Sequence, residues 1–227
     1  MPTSSEQIEI QVSDSVGKVS GLLLSPRSPR LVYVLAHGAG AGMRHPFLET
    51  LARALEARGI ATLRYQFPYM EAQRKRPDPP GVATTTVRAA IASAADHLSR
   101  VPIFAGGKSF GGRMTSTAAA AEPLPGVRGI IFLGFPLHAP GQPGTSRAEH
   151  LARVSVPMLL LQGTRDDFAE LELLRQVAKG LGKRATLHLV DGGDHSFHVL
   201  KRSGRTDEGV MEELVSEIDA WTGRILG

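Results

Sequence analysis

The amino-acid sequence predicts an α/β protein whose sheet is mostly parallel and carries helices on both faces. From residue 31 onward, continuously apolar segments alternate with helical stretches, which is typical of strands covered on both sides. Before them, two partly alternating segments at residues 7–13 and 17–25 flank the turn sequence DSVG and indicate an antiparallel hairpin. Because each helix carries the chain back across the sheet, the strands of such repeated units pair in parallel.

The predicted elements follow one another in a regular order. After the hairpin, strands are predicted at residues 31–36, 59–65, 101–107, 127–135, 156–163 and 184–192. Helices are predicted at residues 46–58, 84–99, 114–122, 167–182 and within 206–226, where apolar residues recur at steps of three and four. The Pro- and Arg-rich connection 66–82 is expected to be a loop, as are residues 136–146, which precede a short helical segment. Since no repeat or linker interrupts the pattern, we expect residues 1–227 to form a single domain.

Composition and charge argue against several classes of protein. The chain has no cysteine, which excludes disulfides, thiolate metal sites and a cysteine nucleophile. The net charge of +4 is modest, and the densest basic cluster, residues 74–76, is expected to be a solvated loop rather than a nucleic-acid surface. No apolar segment approaches the roughly 20 residues of a membrane helix, and the first residues lack the pattern of a secretory signal. We therefore expect a soluble, cytoplasmic protein without nucleic-acid or membrane partners, and leave its oligomeric state open.

The segment FAGGKSFGGR, residues 104–113, fits two incompatible motifs between a strand and a helix. Gly107, Lys108 and Ser109 match the end of a phosphate-binding P-loop, G-x-x-x-x-G-K-[ST]. That motif requires glycine at the position occupied by Pro102, which has no N–H to offer a phosphate. A P-loop also normally lies near the start of its nucleotide domain, whereas several predicted strands precede this segment. The nucleotide-binding interpretation is therefore the weaker one.

The same segment matches a nucleophile elbow, G-x-S-x-G, centred on Ser109. A serine at a tight strand-to-helix turn adopts a strained backbone, and Gly107 and Gly111 would relieve the collisions two residues before and after it. The helix behind Ser109 would point its N–H groups at the site, where an oxyanion would be stabilised. The motif alone is only moderately specific, so it needs a base and an acid elsewhere in the chain.

Candidates for both partners follow later strands in the order that an elbow serine requires, Ser, Asp, His. Asp166 and Asp167 follow the strand MLLLQG, and His195 lies just past the last predicted strand. Taken singly, each has a plainer explanation. Either aspartate could cap a helix, and Asp167 in particular is expected to cap one that begins near Phe168. His195 could be a surface histidine, as three others are expected to be: His138, His150 and His198. Their joint placement at successive strand ends favours a catalytic triad.

The loop after the strand LVYVLA has the sequence HGAGAGM, residues 37–43. A dinucleotide-binding fingerprint would need glycine at the position of Met43, so that interpretation is weak. An oxyanion hole needs only backbone N–H groups near the nucleophile. We predict that Ala39 and Phe110 donate them, and that His37 braces the loop rather than transferring protons.

These segments resemble the α/β-hydrolase superfamily from residue 31 to the last helix, and more narrowly its small, dienelactone-hydrolase-like branch related to testis-expressed protein 30. The resemblance is carried by HGAGAGM, GGKSFGGR, GFPLHAPGQPG, LQGTRDDF and GGDHSF in this order. It implies an α/β-hydrolase fold with about eight strands and a triad of Ser109, Asp166 and His195. The family pattern G-x-x-D maps onto residues 163–166 and favours Asp166 over Asp167.

Two departures from the resemblance are visible in the chain. Dienelactone hydrolases use a cysteine nucleophile, which is absent here. Residues 136–155, which include three prolines, are too few to build the helical lid of many superfamily members. We therefore expect no substantial lid and an open, shallow site.

The expected function is that of a serine hydrolase that cleaves an ester or thioester of a small acyl molecule through a covalent acyl-enzyme, with no metal or organic cofactor. An alternative is a weakly catalytic or non-catalytic protein that keeps the fold for binding or as a scaffold. Four aromatic residues near the site are expected to pack the loops rather than line an acyl pocket: Tyr65, Phe67, Tyr69 and Phe135.

Overall fold

Eight strands form one sheet in the computed structural model, which describes residues 5–227. They are β1 (Glu6–Ser13), β2 (Gly17–Leu24), β3 (Leu31–Ala36), β4 (Ile60–Tyr65), β5 (Ile103–Lys108), β6 (Val127–Leu133), β7 (Met158–Gly163) and β8 (Ala185–Val190). The strand order is β1-β2-β4-β3-β5-β6-β7-β8. Strand β2 pairs antiparallel with β1 and β4, and the other neighbours pair in parallel. The predicted hairpin and mostly parallel sheet are confirmed.

Helices cover both faces of this sheet. They are α1 (Pro46–Ala57), α2 (Pro68–Glu71), α3 (Pro80–His97), α4 (Phe110–Ala121), α5 (Leu171–Leu181) and α6 (Asp207–Leu226). Successive residues of a strand point to opposite faces, and β3 divides in this way. Its residues Leu31, Tyr33 and Leu35 belong to a core with α1 and α6. Its residues Val32, Val34 and Ala36 belong to a second core with α3, α4 and α5. A strand buried on both faces is continuously apolar, as β3 is.

The connection predicted to be a loop at residues 66–82 is partly helical, so that prediction is wrong in part. It contains α2 and the first residues of α3, which begins at Pro80. Proline is well tolerated at the first position of a helix because its missing N–H would have no partner there. The carboxylate of Asp78 also accepts a hydrogen bond from the backbone N–H of Tyr69 at 2.8 Å and so ties α2 to the start of α3.

The connection between β6 and β7, residues 134–157, holds a 3₁₀ helix at Ser146–Arg153 and an isolated bridge between Ala139 and Gln142. It forms a rim and carries no lid domain. Of the helices within residues 5–227, none has an apolar stretch of the length needed to cross a bilayer. The single-domain organisation and the cytoplasmic location stay predictions.

Candidate active site

Ser109 lies at a sharp turn between β5, which ends at Lys108, and α4, which begins at Phe110. Its backbone has φ +49° and ψ −113°, a region that residues with side chains rarely adopt. The turn packs tightly on β3, since a Cβ atom on Gly107 would lie 2.2 Å from the carbonyl oxygen of Ala36. A Cβ on Gly111 would lie 2.6 Å from the Cβ of Ala36. Both motif glycines are therefore required by close approach of the backbones, as the elbow interpretation expects.

Ser109, His195 and Asp166 form a continuous chain of hydrogen bonds. The Nε2 atom of His195 lies 2.9 Å from the Oγ of Ser109. The Nδ1 atom of the same ring lies 2.7 Å from Oδ2 of Asp166. An ionised carboxylate only accepts hydrogen bonds, so Nδ1 carries the proton and Nε2 is free to accept from the serine hydroxyl. The three residues come from the ends of β5, β7 and β8, which are brought to one edge by parallel pairing.

The carboxylate of Asp166 is buried and surrounded by N–H donors. Besides the bond to His195, Oδ2 accepts from Nε2 of Gln162 at 2.5 Å, and Oδ1 accepts from the backbone N–H of Phe168 at 2.8 Å. Gln162 is itself fixed, because its Oε1 accepts from the backbone N–H of Phe135. Asp167 is exposed, and α5 begins at Leu171 with Glu170 at the capping position. The prediction that Asp167 caps a helix beginning near Phe168 is therefore wrong, because Asp166 holds that N–H instead.

Contacts on two sides hold His195 in place. Its ring lies against the ring of Phe168, with centroids 4.3 Å apart. The ammonium group of Lys108 donates a hydrogen bond to the carbonyl oxygen of His195 and lies 5.4 Å from the centroid of Phe197. Burial lowers the pKa of Lys108 to about 8, although the carboxylates of Asp166 and Asp194 oppose the shift. The lysine of the glycine-rich motif thus braces the histidine loop, with its ammonium group bonded to a backbone carbonyl of the protein.

The loop after β3 is held rigidly beside Ser109. Nδ1 of His37 donates to the carbonyl of Gly38 at 2.7 Å, and Nε2 accepts from the backbone N–H of Phe67 at 3.1 Å. Burial lowers the pKa of His37 to about 4, so the ring is neutral and braces the loop as predicted. The N–H of Ala39 has no protein acceptor within the described residues, and that of Phe110 is at the unpaired start of α4. Both predicted donors are thus unpaired; Phe110 directly follows Ser109, and Ala39 borders the same clefts as Ser109.

Two clefts meet at Ser109. One, of about 280 Å³, is lined by His195 and by the largely apolar surface of Ala41, Phe47 and Leu48. The other, of about 420 Å³, is lined by Phe110, Met114 and three arginines. Ala39, Ser109 and Phe168 border both. The aromatic residues Tyr65, Phe67, Tyr69 and Phe135 line neither cleft and are fully buried, so they pack the loops as expected.

Two of the three histidines predicted to lie on the surface do not. His138 is buried, with Nε2 accepting from the backbone N–H of Glu170 at 2.7 Å. His150 is half-buried, and its Nε2 lies 2.8 Å from the Oγ of Ser116. His198 is exposed as predicted and lies beside Asp207. A single histidine in a proline-rich segment carries no sequence signal for such long-range partners.

The sequence did not mark Gln162 as functional, and it marked Lys108 only through the P-loop alternative. Gln162 had a usable signal, since it is the one polar side chain in the apolar strand MLLLQG and precedes the G-x-x-D pattern. Lys108 had a weaker one, a charged residue at the end of a buried strand. Within residues 5–227, no three histidine or carboxylate side chains converge in a way that would hold a metal ion.

Comparison with known proteins identifies relatives over most of the chain. A family model described as an α/β-hydrolase domain matches residues 29–223. Two curated Mycobacterium tuberculosis proteins, which carry a provisional phosphoribosyl transferase name, are 29% identical over 218 residues. That match covers 94% of this chain and 45% of each relative, so the chain spans less than half the length of these relatives.

Solved structures share the fold at low sequence identity. A dienelactone hydrolase from Anabaena variabilis aligns with a TM-score of 0.76 and 19% identity over 99% of both chains. A serine hydrolase without a lid, from Xanthomonas campestris, aligns with a TM-score of 0.72 and 20% identity over 97% of this chain and 96% of its own. These similarities confirm the predicted α/β-hydrolase fold.

Proposed function

The chain belongs to the α/β-hydrolase domain family, and we propose that it is a serine hydrolase that cleaves ester or thioester bonds of a small acyl substrate. The observation that carries this proposal is the hydrogen-bonded chain from Ser109 through His195 to Asp166, with separations of 2.9 and 2.7 Å. Hydrogen-bonded contact between a hydroxyl, an imidazole and a buried carboxylate is the arrangement that activates a serine.

In the first step, the Oγ of Ser109 attacks the carbonyl carbon while its proton passes to Nε2 of His195. The carboxylate of Asp166 keeps the proton of the imidazole on Nδ1 and stabilises the imidazolium that forms. The N–H groups of Ala39 and Phe110 hold the oxyanion, each contributing about 3 kcal/mol. The imidazolium then gives its proton to the departing alkoxide or thiolate, which leaves an acyl group on Ser109.

In the second step, a water molecule takes the place of the leaving group. His195 removes its proton as the oxygen attacks the acyl carbon, and the same proton returns to the Oγ of Ser109 when the carboxylic acid departs. The cycle uses only groups of this chain and water. It requires no metal, no organic cofactor and no nucleic-acid or membrane partner.

Labelling with a fluorophosphonate probe tests the proposal directly, because the probe reacts with activated serines. We expect Ser109 to be labelled in the wild type and labelling to be lost in Ser109→Ala. The control is Ser146→Ala, which removes an exposed serine of the 3₁₀ helix and should leave labelling intact. p-Nitrophenyl esters and thioesters of graded chain length then identify the bond and size the acyl site.

Absence of labelling in a folded wild type would overturn the proposal. The alternative that the fold serves as a binding or scaffold module would then be favoured. Labelling that persists in Ser109→Ala would place the nucleophile elsewhere and refute the assigned roles.

A further inference from the structure

The second cleft beside Ser109 has a feature that the proposed reaction does not use. Three arginines, Arg76, Arg113 and Arg147, line it together with Ser109 and Phe110. His195 lines the first cleft and not this one. Because the leaving group takes its proton from His195, it must occupy the first cleft. The acyl part of the substrate then extends into the second, which we call the arginine cleft.

Arg113 is placed next to the reacting atoms by the helix that carries Ser109. Its backbone N–H donates to the carbonyl oxygen of Ser109 at 3.1 Å, so it follows the serine by one helical turn. Residues separated by four positions lie on the same side of a helix. The Nε of Arg113 is buried and has no hydrogen-bond partner among the described residues. That nitrogen is closed to solvent, so an anion in the cleft would pair with the terminal nitrogens of this partly exposed side chain.

Arg147 reaches the same cleft from the 3₁₀ helix of the rim. The two elements are joined where Nε2 of His150 lies 2.8 Å from the Oγ of Ser116, one turn beyond each arginine. Burial lowers the pKa of Arg113, and the positive charge of Arg147 lowers it further. His150 adds no further positive charge, since burial and the nearby Arg113 and Arg153 lower its pKa to about 4.

Within residues 5–227, neither Arg113 nor Arg147 forms an ion pair. One carboxylate, that of Asp78, does line the cleft, but it already accepts from the N–H of Tyr69 and from Arg74. The guanidinium groups of Arg113 and Arg147 thus line one concave surface beside the nucleophile, and neither is paired with a carboxylate of the described residues. Such an arrangement is stabilised by an anion that enters the cleft.

We propose that the arginine cleft binds a carboxylate or phosphate group on the acyl part of the substrate, so that the enzyme prefers acyl chains that end in an anion. The assignment of this cleft to the acyl part rests on the proposed serine hydrolase function. Anion binding by Arg113 and Arg147 does not rest on it. Guanidinium groups suit both anions because their forked N–H groups pair with two oxygens at once.

Binding is tested first without turnover, on the Ser109→Ala variant. Glutarate and inorganic phosphate are titrated separately by calorimetry, and the stronger binder identifies which anion the cleft takes. We expect Arg113→Gln or Arg147→Gln in this background to weaken the binding about tenfold to hundredfold. Arg153→Gln is the control, since that exposed arginine lies on the same 3₁₀ helix and does not line the cleft. Equal affinity in all three variants, or no binding of either anion, would overturn the proposal.

Turnover is tested with two esters of matched length, mono-p-nitrophenyl glutarate and p-nitrophenyl pentanoate. We expect kcat/KM to favour the glutarate ester, and the ratio between the two esters to fall about tenfold or more in Arg113→Gln. A wild type that hydrolyses the pentanoate equally well would refute the preference. Failure of serine labelling combined with normal glutarate binding would refute the hydrolase proposal while leaving the anion site in place.

Discussion

The three N–H donors around Asp166 make Asp166→Asn the most informative single substitution. A carboxylate accepts hydrogen bonds on both oxygens, and here it accepts from His195 and Gln162 on Oδ2 and from Phe168 on Oδ1. An asparagine amide has one oxygen and one NH₂ group. One of the two oxygen positions must therefore become a donor that faces another donor.

Either orientation of the amide is costly. With NH₂ at the Oδ2 position, His195 can pair only by moving its proton to Nε2, and Ser109 then loses its base. With NH₂ at the Oδ1 position, it opposes the N–H of Phe168, and the neutral amide stabilises the imidazolium less than a carboxylate does. We expect kcat/KM to fall by about 10² to 10⁴, or about 3 to 5.5 kcal/mol. The buried donor pair should also lower the free energy of unfolding by about 1–3 kcal/mol.

The assay is steady-state hydrolysis of a p-nitrophenyl ester, together with urea unfolding of the same preparations. Asp167→Asn is the matched control, because that neighbouring aspartate is exposed. It should alter the free energy of unfolding by less than about 0.5 kcal/mol and leave hydrolysis unchanged. A loss of less than tenfold in Asp166→Asn, or an equal loss in the control, would refute the role assigned to the carboxylate.

Two further predictions concern stability. Burial lowers the pKa of Lys108 to about 8 in the folded protein. Between that pH and the higher pKa of this lysine in the unfolded chain, the unfolded state binds more protons than the folded state. The free energy of unfolding therefore rises with pH over this range. In urea titrations, the free energy of unfolding of the wild type, relative to that of Lys108→Met, should rise by about 1–2 kcal/mol from about pH 7.5 to about pH 9.5. A difference between the two proteins that does not change with pH would contradict this. Gly111→Ala should lose about 1–3 kcal/mol through its clash with Ala36 and His37. The helical control Gly223→Ala, whose Cβ meets nothing within 4 Å, should gain up to about 1 kcal/mol in the same thermal or urea unfolding. Equal effects at both glycines would refute the packing argument.

The fold could be predicted from the sequence because local signals agreed with the tertiary structure. Strand β3 has the predicted bounds, since its six residues are apolar on both faces and loop residues flank it. Contacts between distant segments were harder to foresee. Asp78 bonds the backbone of Tyr69 across the partly helical connection 66–82, and the buried His138 bonds the backbone of Glu170. Neither pairing leaves a periodic pattern in the sequence.

The candidate site likewise contains residues that the sequence predicts and residues that it does not. The motif spacing and strand order placed Ser109, Asp166 and His195 at one sheet edge, and the structure brings them into contact. Gln162 acts through a hydrogen bond to Asp166, four residues further along the chain, and Lys108 through a hydrogen bond to the loop that carries His195. The Lys108 bond joins the end of β5 to the loop after β8, and the positions of these segments in the sequence do not reveal that they meet.

The backbone conformation at Ser109 has a consequence for the choice of residue at this position. A side chain at φ +49° and ψ −113° costs about 1–3 kcal/mol, a penalty that glycine largely escapes. A chain that kept this fold only to bind a partner would become more stable by replacing Ser109 with glycine. Under the proposed function, Ser109 exchanges folding stability for reactivity, so Ser109→Gly should yield a protein that melts at a higher temperature and hydrolyses nothing.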